Sequence, residues 1–166
     1  MTQTWVDLVN NSEKLTALYS NIPPLTSVRL RSVNFNWRGP SVIFRMDLPS
    51  FPDKTPPASE TSHDTLQIHL QFLAVDNLTM NSWTPPALSD ISFTPTKNHR
   101  VSVSCTGPGC ALAFNSSDSL LVGHMSTFAI AEDGSDTGSR NFLGRVDARR
   151  FTTLPPADEK TFYERL

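Results

Sequence analysis

Residues 65–83 read TLQIHLQFLAVDNLTMNSW, and this stretch predicts the central strand of a β-sheet. Polar and apolar side chains alternate over its first eight residues, which is typical of a strand with one buried face and one wet face. The buried positions that it predicts are Leu66, Ile68, Leu70 and Phe72. The alternation stops before Asp76-Asn77, a pair that favours a turn. A second short strand ends at Trp83, so the stretch predicts two strands with a tight connection.

Further strands are predicted on both sides of this stretch. Residues 28–37 place apolar side chains on both parities, which indicates a β-bulge near Arg31-Ser32. Residues 42–48 alternate regularly after Gly39-Pro40, so these two segments predict a hairpin. After Trp83, short apolar runs between Pro, Gly and Asn predict antiparallel strands. These runs cover residues 91–93, 101–105, 111–114 and 120–130.

The N-terminal segment predicts one amphipathic helix. Its apolar residues recur at steps of three and four, as a helix with one buried face requires. They are Trp5, Leu8, Val9, Leu15, Leu18 and Tyr19. Pro23-Pro24 ends the helix. The predicted fold is mainly β (α+β): an antiparallel β-sandwich or half-barrel of about 7–9 short strands, with the N-terminal amphipathic helix packed on the sheet.

The chain of 166 residues has the usual size of a single domain. We expect residues 1–131 to form this β-rich domain. Residues 132–166 begin with the small and charged EDGSDTGSR and then show no firm hydrophobic period. This composition predicts a polar linker and a poorly ordered or loosely docked C-terminal tail. A docked segment around Phe142 to Phe151 and a short helix after Pro156 remain open within that tail.

Composition argues against several classes of protein. The 14 Lys and Arg residues and 16 Asp and Glu residues give a net charge of −2, which offers no argument for nucleic-acid binding. No apolar run reaches the roughly 18–20 residues that span a bilayer, and the N-terminus has no secretory signal pattern. We therefore expect a cytoplasmic protein with no nucleic-acid and no membrane partner. The sequence makes no prediction of the oligomeric state.

Residues that could bind a metal or perform catalysis are few and scattered. The four histidines have no metal-ligand spacing, so no metal site and no cofactor are predicted. His63-Asp64 would support acid–base chemistry only beside a nucleophile, and no serine motif marks one. We therefore predict no catalytic residue and no enzymatic activity.

Cys105 and Cys110 are the only cysteines of the sequence and flank the turn-forming Thr-Gly-Pro-Gly. One interpretation is a redox-sensitive disulfide across a hairpin. The other is a pair of small, reduced and part-buried side chains. A cytosolic context keeps thiols reduced and favours the second.

Several of these segments together carry a family likeness. They are WVDLVNNSEKLTALY at residues 5–19 with Ile22-Pro23 and Leu25, Val28-Arg29-Leu30 with Ser32-Val33, the turn Gly39-Pro40-Ser41, and LQIHLQFLAV followed by an L-x-M pair and Trp83. With these segments the chain resembles the Immunity protein 50 family of bacterial polymorphic toxin systems, over roughly residues 4–130. Family members commonly have Gly-Val after the central strand, whereas this chain has Ala74 at the glycine position.

The resemblance implies a cytoplasmic protein that binds a cognate toxin domain and neutralises it by occlusion, with no chemistry of its own. It supplies no catalytic residues to transfer. The alternative is a small-ligand-binding β-sandwich domain or a hydrolase whose site the sequence does not reveal. A neighbouring gene with a secretion module and a C-terminal toxin domain would favour the immunity protein. A deep pocket of mixed polar and apolar lining would favour the alternative.

A polar face is predicted opposite the apolar parities of the first three strands. Its residues are the predicted toxin-binding set: Arg29, Arg31, Arg45, Asp47, Gln67, His69 and Gln71. The simpler interpretation is a solvated face. The central row of Gln, His and Gln carries no permanent charge, whereas solvated faces are usually rich in Lys and Glu. Four prolines in the exposed loop at residues 49–64 would hold a rim beside this face. If His69 lies at the contact, binding depends on pH.

Overall fold

The computed structural model describes residues 4–37, 39–54, 62–137 and 139–150. These residues form nine strands: β1 (Val28–Asn36), β2 (Ser41–Asp47), β3 (Thr65–Leu73), β4 (Asp76–Trp83), β5 (Ala87–Thr96), β6 (Arg100–Gly107), β7 (Cys110–Ser117), β8 (Leu121–Phe128) and β9 (Arg140–Phe142). A 3-10 turn at Trp5–Leu8 and the helix α1 (Glu13–Thr16) precede the strands, and the helix α2 (Arg145–Arg150) follows them. Within the described ranges there is no helix with the length and apolar character needed to span a bilayer.

All neighbouring strands pair antiparallel, in the order β4-β7-β6-β5-β1-β2-β3-β8-β9. Strand β5 joins the two halves of this sheet. Its first residues, Ala87 to Ser89, pair with β1, and the rest of the strand pairs with β6. The halves face each other, because Phe114 of β7 contacts Phe44 of β2 and Phe72 of β3 at ring distances of 5.8 and 5.0 Å. The prediction of a mainly β fold of the sandwich or half-barrel type is confirmed.

The core lies between these two halves. The four apolar residues predicted to point inward from β3 are fully buried, so the facing of this strand was predicted correctly. The β-bulge also lies where the sequence placed it, because the pairing of β1 with β2 shifts between Leu30 and Ser32. The predicted hairpin of these two strands is confirmed.

The connection from β3 to β4 differs from the prediction in position. It is formed by Ala74 and Val75, so Asp76-Asn77 already begins β4. Ala74 has φ +52°, in the left-handed region that favours glycine. The connection crosses from one half of the sheet to the other, since β4 pairs with β7.

The N-terminal segment is not the single helix that its spacing predicts. Between the 3-10 turn and α1, Val9 forms a parallel bridge with Leu120, and the Asn10 N–H donates to the Leu120 carbonyl at 2.9 Å. A continuous helix would use these backbone groups internally. All six predicted apolar positions are nevertheless buried.

The outer side of β3 also differs from the prediction. The alternation predicted that this face is exposed to solvent, but Gln67 and His69 are only 1% and 3% exposed. Strand β8 is likewise buried on both faces from Val122 to Phe128. The cover comes from the C-terminal segment, because Asp136 and Arg140 contact Gln67, and Asp147 of α2 contacts His124 of β8.

Part of the predicted tail therefore packs on the sheet. Arg140, Phe142 and Asp147 are buried. Residues 151–166, with the helix predicted after Pro156, lie outside the described residues, as do residues 55–61 of the predicted proline-rich loop. A domain boundary after Ala131 stays a prediction.

Candidate partner-binding surface

The predicted polar side chains share the side of the sheet that faces away from the aromatic core; we call it the outer face. Residues directly opposite each other on paired strands point to the same side. Arg45 is paired with Ser32 and His69, and Asp47 is paired with Arg29 and Gln67. The predicted residues of the three strands therefore lie in adjoining cross-strand rows.

Asp47 is the buried centre of the first cluster on this face. Arg31 donates to Asp47 Oδ2 through Nε and Nη2, at 3.0 and 2.6 Å. Gln67 Nε2 donates to the other carboxylate oxygen at 2.8 Å. Both oxygens are thus bound, which a buried carboxylate needs in order to remain charged without a large cost.

Asp136, from the connection between β8 and β9, places a second carboxylate beside the first. Its Oδ2 accepts hydrogen bonds from Arg45 Nη1, from Gln67 Nε2 at 2.9 Å and from Arg140 Nη2 at 3.1 Å. Its Oδ1 lies 3.8 Å from Arg31 Nη1. Burial alone would raise the pKa of Asp136, but the Gln67 hydrogen bond and the three arginine charges lower it to about 2.

Arg140 closes this network from β9. Its Nη1 donates to Gln67 Oε1 at 2.8 Å and to Ser126 Oγ at 3.0 Å, and its guanidinium lies 4.9 Å from the ring centre of Phe128. Burial lowers the pKa of Arg140, whereas the charge of Asp136 acts to raise it. We call the set Arg31, Arg45, Asp47, Gln67, Asp136 and Arg140 the polar network. The polar network contains three arginines and two aspartates.

His69 lies beside this network and faces another histidine. The rings of His69 and His124 meet edge to face at 5.1 Å, and His124 Nδ1 lies 2.8 Å from Asp147 Oδ2 of α2. His69 Nε2 is buried and has no hydrogen-bond partner among the described residues. Burial, together with His124, Arg45 and Arg140, lowers the pKa of His69 to about 3. His69 is therefore neutral at physiological pH.

The predicted site residues thus separate into three groups. Arg31, Asp47 and Gln67 are buried in the polar network, while Arg45 belongs to it with a side chain that is 17% exposed. His69 is buried in the histidine pair. The last two residues, Arg29 and Gln71, are partly exposed, and Arg29 Nη1 donates to the Gly134 carbonyl at 3.1 Å.

Sequence reasoning missed four members of this region: His124, Asp136, Arg140 and Asp147. Three of them come from the segment that was predicted to be linker and tail. No hydrophobic period marks them, and their partners lie far away in sequence. The only available signal was the presence of charged residues in that segment.

Beyond the polar network, the other half of the outer face is more exposed to solvent; we call it the open half. One row crosses four strands and is partly exposed at every position: Asn34, Ile43, Gln71 and Leu121. Trp37 lies in the turn between β1 and β2, three residues beyond Asn34, and is 82% exposed. We call these five residues the open row. The row is uncharged and has an aromatic residue at its edge.

The other candidates that the sequence singled out are His63, Asp64 and the two cysteines. His63 Nδ1 lies 2.9 Å from Thr127 Oγ1, and Asp64 Oδ1 accepts from the Ile130 N–H and from Thr65 Oγ1. Among the described residues, no group of three His, Cys, Asp or Glu side chains is placed to hold a metal. Cys105 and Cys110 are both free and buried, and burial raises the pKa of each thiol.

A groove of about 800 Å³ lies between the N-terminal segment and β5. Its apolar lining includes Trp5, Ile22, Leu25 and Phe93. Among the described residues that line it, only Lys54 is charged, and its Nζ donates to the Thr16 carbonyl at 2.9 Å. The lining of the groove is mixed, because it also includes polar side chains: Thr16, Tyr19, Ser20, Asn21, Thr26 and Ser92.

The family model of Immunity protein 50 matches residues 11–117, which is more than half of the chain. The matched range contains α1, strands β1 to β7 and every residue of the predicted toxin-binding set. No curated protein and no solved structure matches the chain. On the strength of the family match, this chain belongs to the Immunity protein 50 family.

Proposed function

We propose that this chain is an immunity protein that binds a cognate bacterial toxin domain and neutralises it by occlusion, with no catalysis of its own. The observation that carries the proposal is membership of the Immunity protein 50 family. The described residues contribute a rigid sheet and an exposed polar surface, which suits a binding role. We further propose that the protein acts in the bacterial cytoplasm as part of a polymorphic toxin system.

The outer face is the proposed docking surface, as the sequence analysis expected. We place the contact on the open row, with Gln71 at its centre and Trp37 at its rim. Interface centres are depleted in charged residues, and exposed tryptophans are frequent hot spots. Arg45 lies in the adjoining cross-strand row and Arg29 in the row beyond it, and both would supply charged contacts.

The buried residues of the predicted set have a supporting role in this proposal. Arg31, Asp47 and Gln67 connect β1, β2 and β3 by hydrogen bonds whose atoms are removed from solvent. A surface held in its bound shape loses less conformational entropy when the partner docks. These residues would therefore favour binding at the open row by holding the three strands in place.

The proposal is tested with the toxin domain encoded by the neighbouring gene. Co-expression of the chain should restore growth of cells that express this toxin, and the two purified proteins should form a stable complex. Absence of a complex with the neighbouring toxin domain would contradict the proposed function.

The docking surface is tested with two single variants at exposed apolar positions. Trp37→Ala should weaken binding by about thirtyfold or more, as loss of a hot spot of about 2 kcal/mol predicts. Met80→Ala, at an exposed position on the distant edge strand β4, should bind as the natural chain does. Equal affinities of the two variants would move the contact away from the open row.

A further inference from the structure

The carboxylate of Asp136 occupies a pocket made by four side chains from other parts of the fold. Arg31, Arg45, Gln67 and Arg140 surround it, and we call these four residues the arginine pocket. Arg45 and Arg140 donate charge-assisted hydrogen bonds to this carboxylate, and the Arg31 guanidinium adds a third positive charge at 3.8 Å. The side chain of Asp136 is 17% exposed, so the pocket opens toward solvent.

The segment that carries Asp136 is held on the sheet by polar contacts. Residues 131–137 approach the sheet through the Asp136 side chain, through the Gly134 carbonyl that accepts from Arg29, and through the Asp136 carbonyl that accepts from Arg140 at 2.7 Å. Other hydrogen bonds, such as the Gly134 N–H to the Ala131 carbonyl, stay within the segment. Ala131, Glu132 and Asp133 are exposed. A competing anion could therefore replace this segment without uncovering an apolar core.

The arginine pocket would remain assembled after such a replacement. Arg31 stays bound to Asp47, and Arg45 lies on the central strand β2. Arg140 belongs to β9, which pairs with β8 independently of residues 131–137. Without Asp136, the three arginines face Asp47 alone, so the pocket would carry an excess of two positive charges. This charge favours the entry of another carboxylate.

We propose that the arginine pocket is a carboxylate-binding site for the partner: an acidic side chain of the toxin domain replaces Asp136, and residues 131–137 leave the outer face. This inference rests on the proposed function and names the chemistry of the same face. The pocket adjoins the open row through Arg45, because Arg45 is two residues from Ile43 on β2. The partner would therefore present an acidic residue next to an uncharged, partly apolar area.

The chemistry of the pocket can be tested without the toxin, by adding acetate to the full-length Asp136→Ala variant. This variant should melt at a lower temperature than the natural chain, because three arginines lose their shared carboxylate. Sodium acetate should raise its melting temperature in a saturable way, and by several degrees more than sodium chloride of equal ionic strength. The natural chain, whose pocket is occupied, should respond equally to both salts.

Two results of this experiment would overturn the carboxylate assignment. One is an equal response of Asp136→Ala to acetate and chloride. The other is a stronger response to inorganic phosphate than to acetate, which would make the pocket a phosphate site. A variant with Arg45→Gln added to Asp136→Ala should lose the acetate response, since it removes a donor that faces the carboxylate.

Exchange with the toxin is tested by the affinity of Asp136→Asn for the neighbouring toxin domain. Asparagine keeps the size of the side chain and removes the charge that competes with the toxin. In the natural chain, Asp136 competes with the toxin for the arginine pocket and lowers the apparent affinity for the toxin. Asp136→Asn should therefore bind the toxin about tenfold more tightly. Asp133→Asn, in the exposed part of the same segment, should bind as the natural chain does.

The outcomes separate this inference from the proposed function. If the natural chain binds the toxin and Asp136→Asn binds with equal or lower affinity, the exchange is overturned and the function stands. If the natural chain does not bind the toxin, the proposed function and the exchange both fail. The acetate experiment then still decides whether the pocket binds carboxylates.

Discussion

The imidazole of His124 on β8 lies 2.8 Å from the carboxylate of Asp147 on α2, and both side chains are buried. The other side of this imidazole faces His69 of β3 at a ring distance of 5.1 Å. Helix α2 is thus connected to the central strand through two histidines. The contact joins a segment that composition describes as a tail to the middle of the sheet.

Truncation after Ala131 should therefore lower the melting temperature by about 10 °C or more, since several kcal/mol of burial and hydrogen bonding are lost. It removes the buried Phe142 of β9, whose ring lies 6.5 Å from that of His124, and takes Arg140 and Asp136 away from Gln67. The sequence alone predicts an unchanged melting temperature, so scanning calorimetry distinguishes the two expectations.

A smaller change tests the same docking without a truncation. Asp147→Asn should lower the melting temperature, because the buried contact with His124 loses its charged acceptor. Arg149→Gln, at an exposed position of α2, serves as the matched control and should have no effect. An unchanged melting temperature in both the truncation and Asp147→Asn would mean that the segment does not stabilise the sheet.

Sequence patterns predicted the inner face of β3 and could not predict the cover on its outer face. The alternation shows that Gln67 and His69 are polar. A polar side chain can either contact solvent or be buried against polar partners, and the alternation does not distinguish the two. The partners of Gln67 lie 69 and 73 residues away, at Asp136 and Arg140. Local periodicity contains no information about such distant contacts.

Long-range hydrogen bonds of the N-terminal segment were likewise not predictable from local periodicity. The spacing of its apolar residues correctly identified which of them are buried. It could not show that Asn11 would bind the backbone N–H and carbonyl of Val122, 111 residues later. Together with the backbone contacts of Val9 and Asn10 to Leu120, these bonds hold the break between the 3-10 turn and α1, although the buried set stays the same.

For Gln67→Ala, the sequence and the structure predict clearly different effects on stability. The sequence predicts a nearly silent change on a wet face. In the structure the Gln67 amide binds Asp47, Asp136 and Arg140, so its loss should cost about 1–3 kcal/mol of unfolding free energy. Chemical denaturation measures this cost.

Two variants on the same strand calibrate that measurement. Gln71→Ala, at a partly exposed position, should cost less than about 0.5 kcal/mol. Leu70→Asp should cost more than Gln67→Ala, because it places an unpaired charge in a fully buried position. Equal midpoints for Gln67→Ala and the natural chain would mean that the polar network does not stabilise the fold.

Ala74→Gly should stabilise the protein. Ala74 has φ +52°, and a side chain in this left-handed region costs about 1–2 kcal/mol. Glycine removes that cost but adds about 0.4–1 kcal/mol of unfolded-state entropy, so a net gain of about 0.5–1 kcal/mol is expected. The gain should appear as a higher denaturation midpoint.

The control for this change is Ala111→Gly in the regular strand β7. Glycine in a strand interior is destabilising by roughly 0.5–1 kcal/mol, so the control should shift the midpoint in the opposite direction. If both variants destabilise the protein equally, the connection between β3 and β4 does not strain Ala74.

Stability should fall as the pH is lowered from 7 toward 5, and His69 should account for part of the fall. Burial and the neighbouring His124, Arg45 and Arg140 lower the pKa of His69 from 6.5 to about 3. Between these two values the unfolded chain binds a proton that the folded chain does not. Acid therefore favours unfolding in this window, with a slope of up to about 1.4 kcal/mol per pH unit from this one group.

The measurement compares denaturation midpoints of three proteins at pH 7, 6 and 5. His69→Gln should reduce the slope of stability against pH, because the side chain that remains cannot take up a proton. His99→Gln, at a side chain that is 93% exposed, serves as the control. The window ends at pH 5 because the pKa of Asp136 is lowered from 3.8 to about 2, so its contribution to stability falls mainly below pH 3.8, where the carboxyl of the unfolded chain takes up a proton. Equal slopes for His69→Gln and the natural chain would show that His69 is protonated as readily in the folded protein as in the unfolded chain, and the buried histidine pair would then have to be open to water.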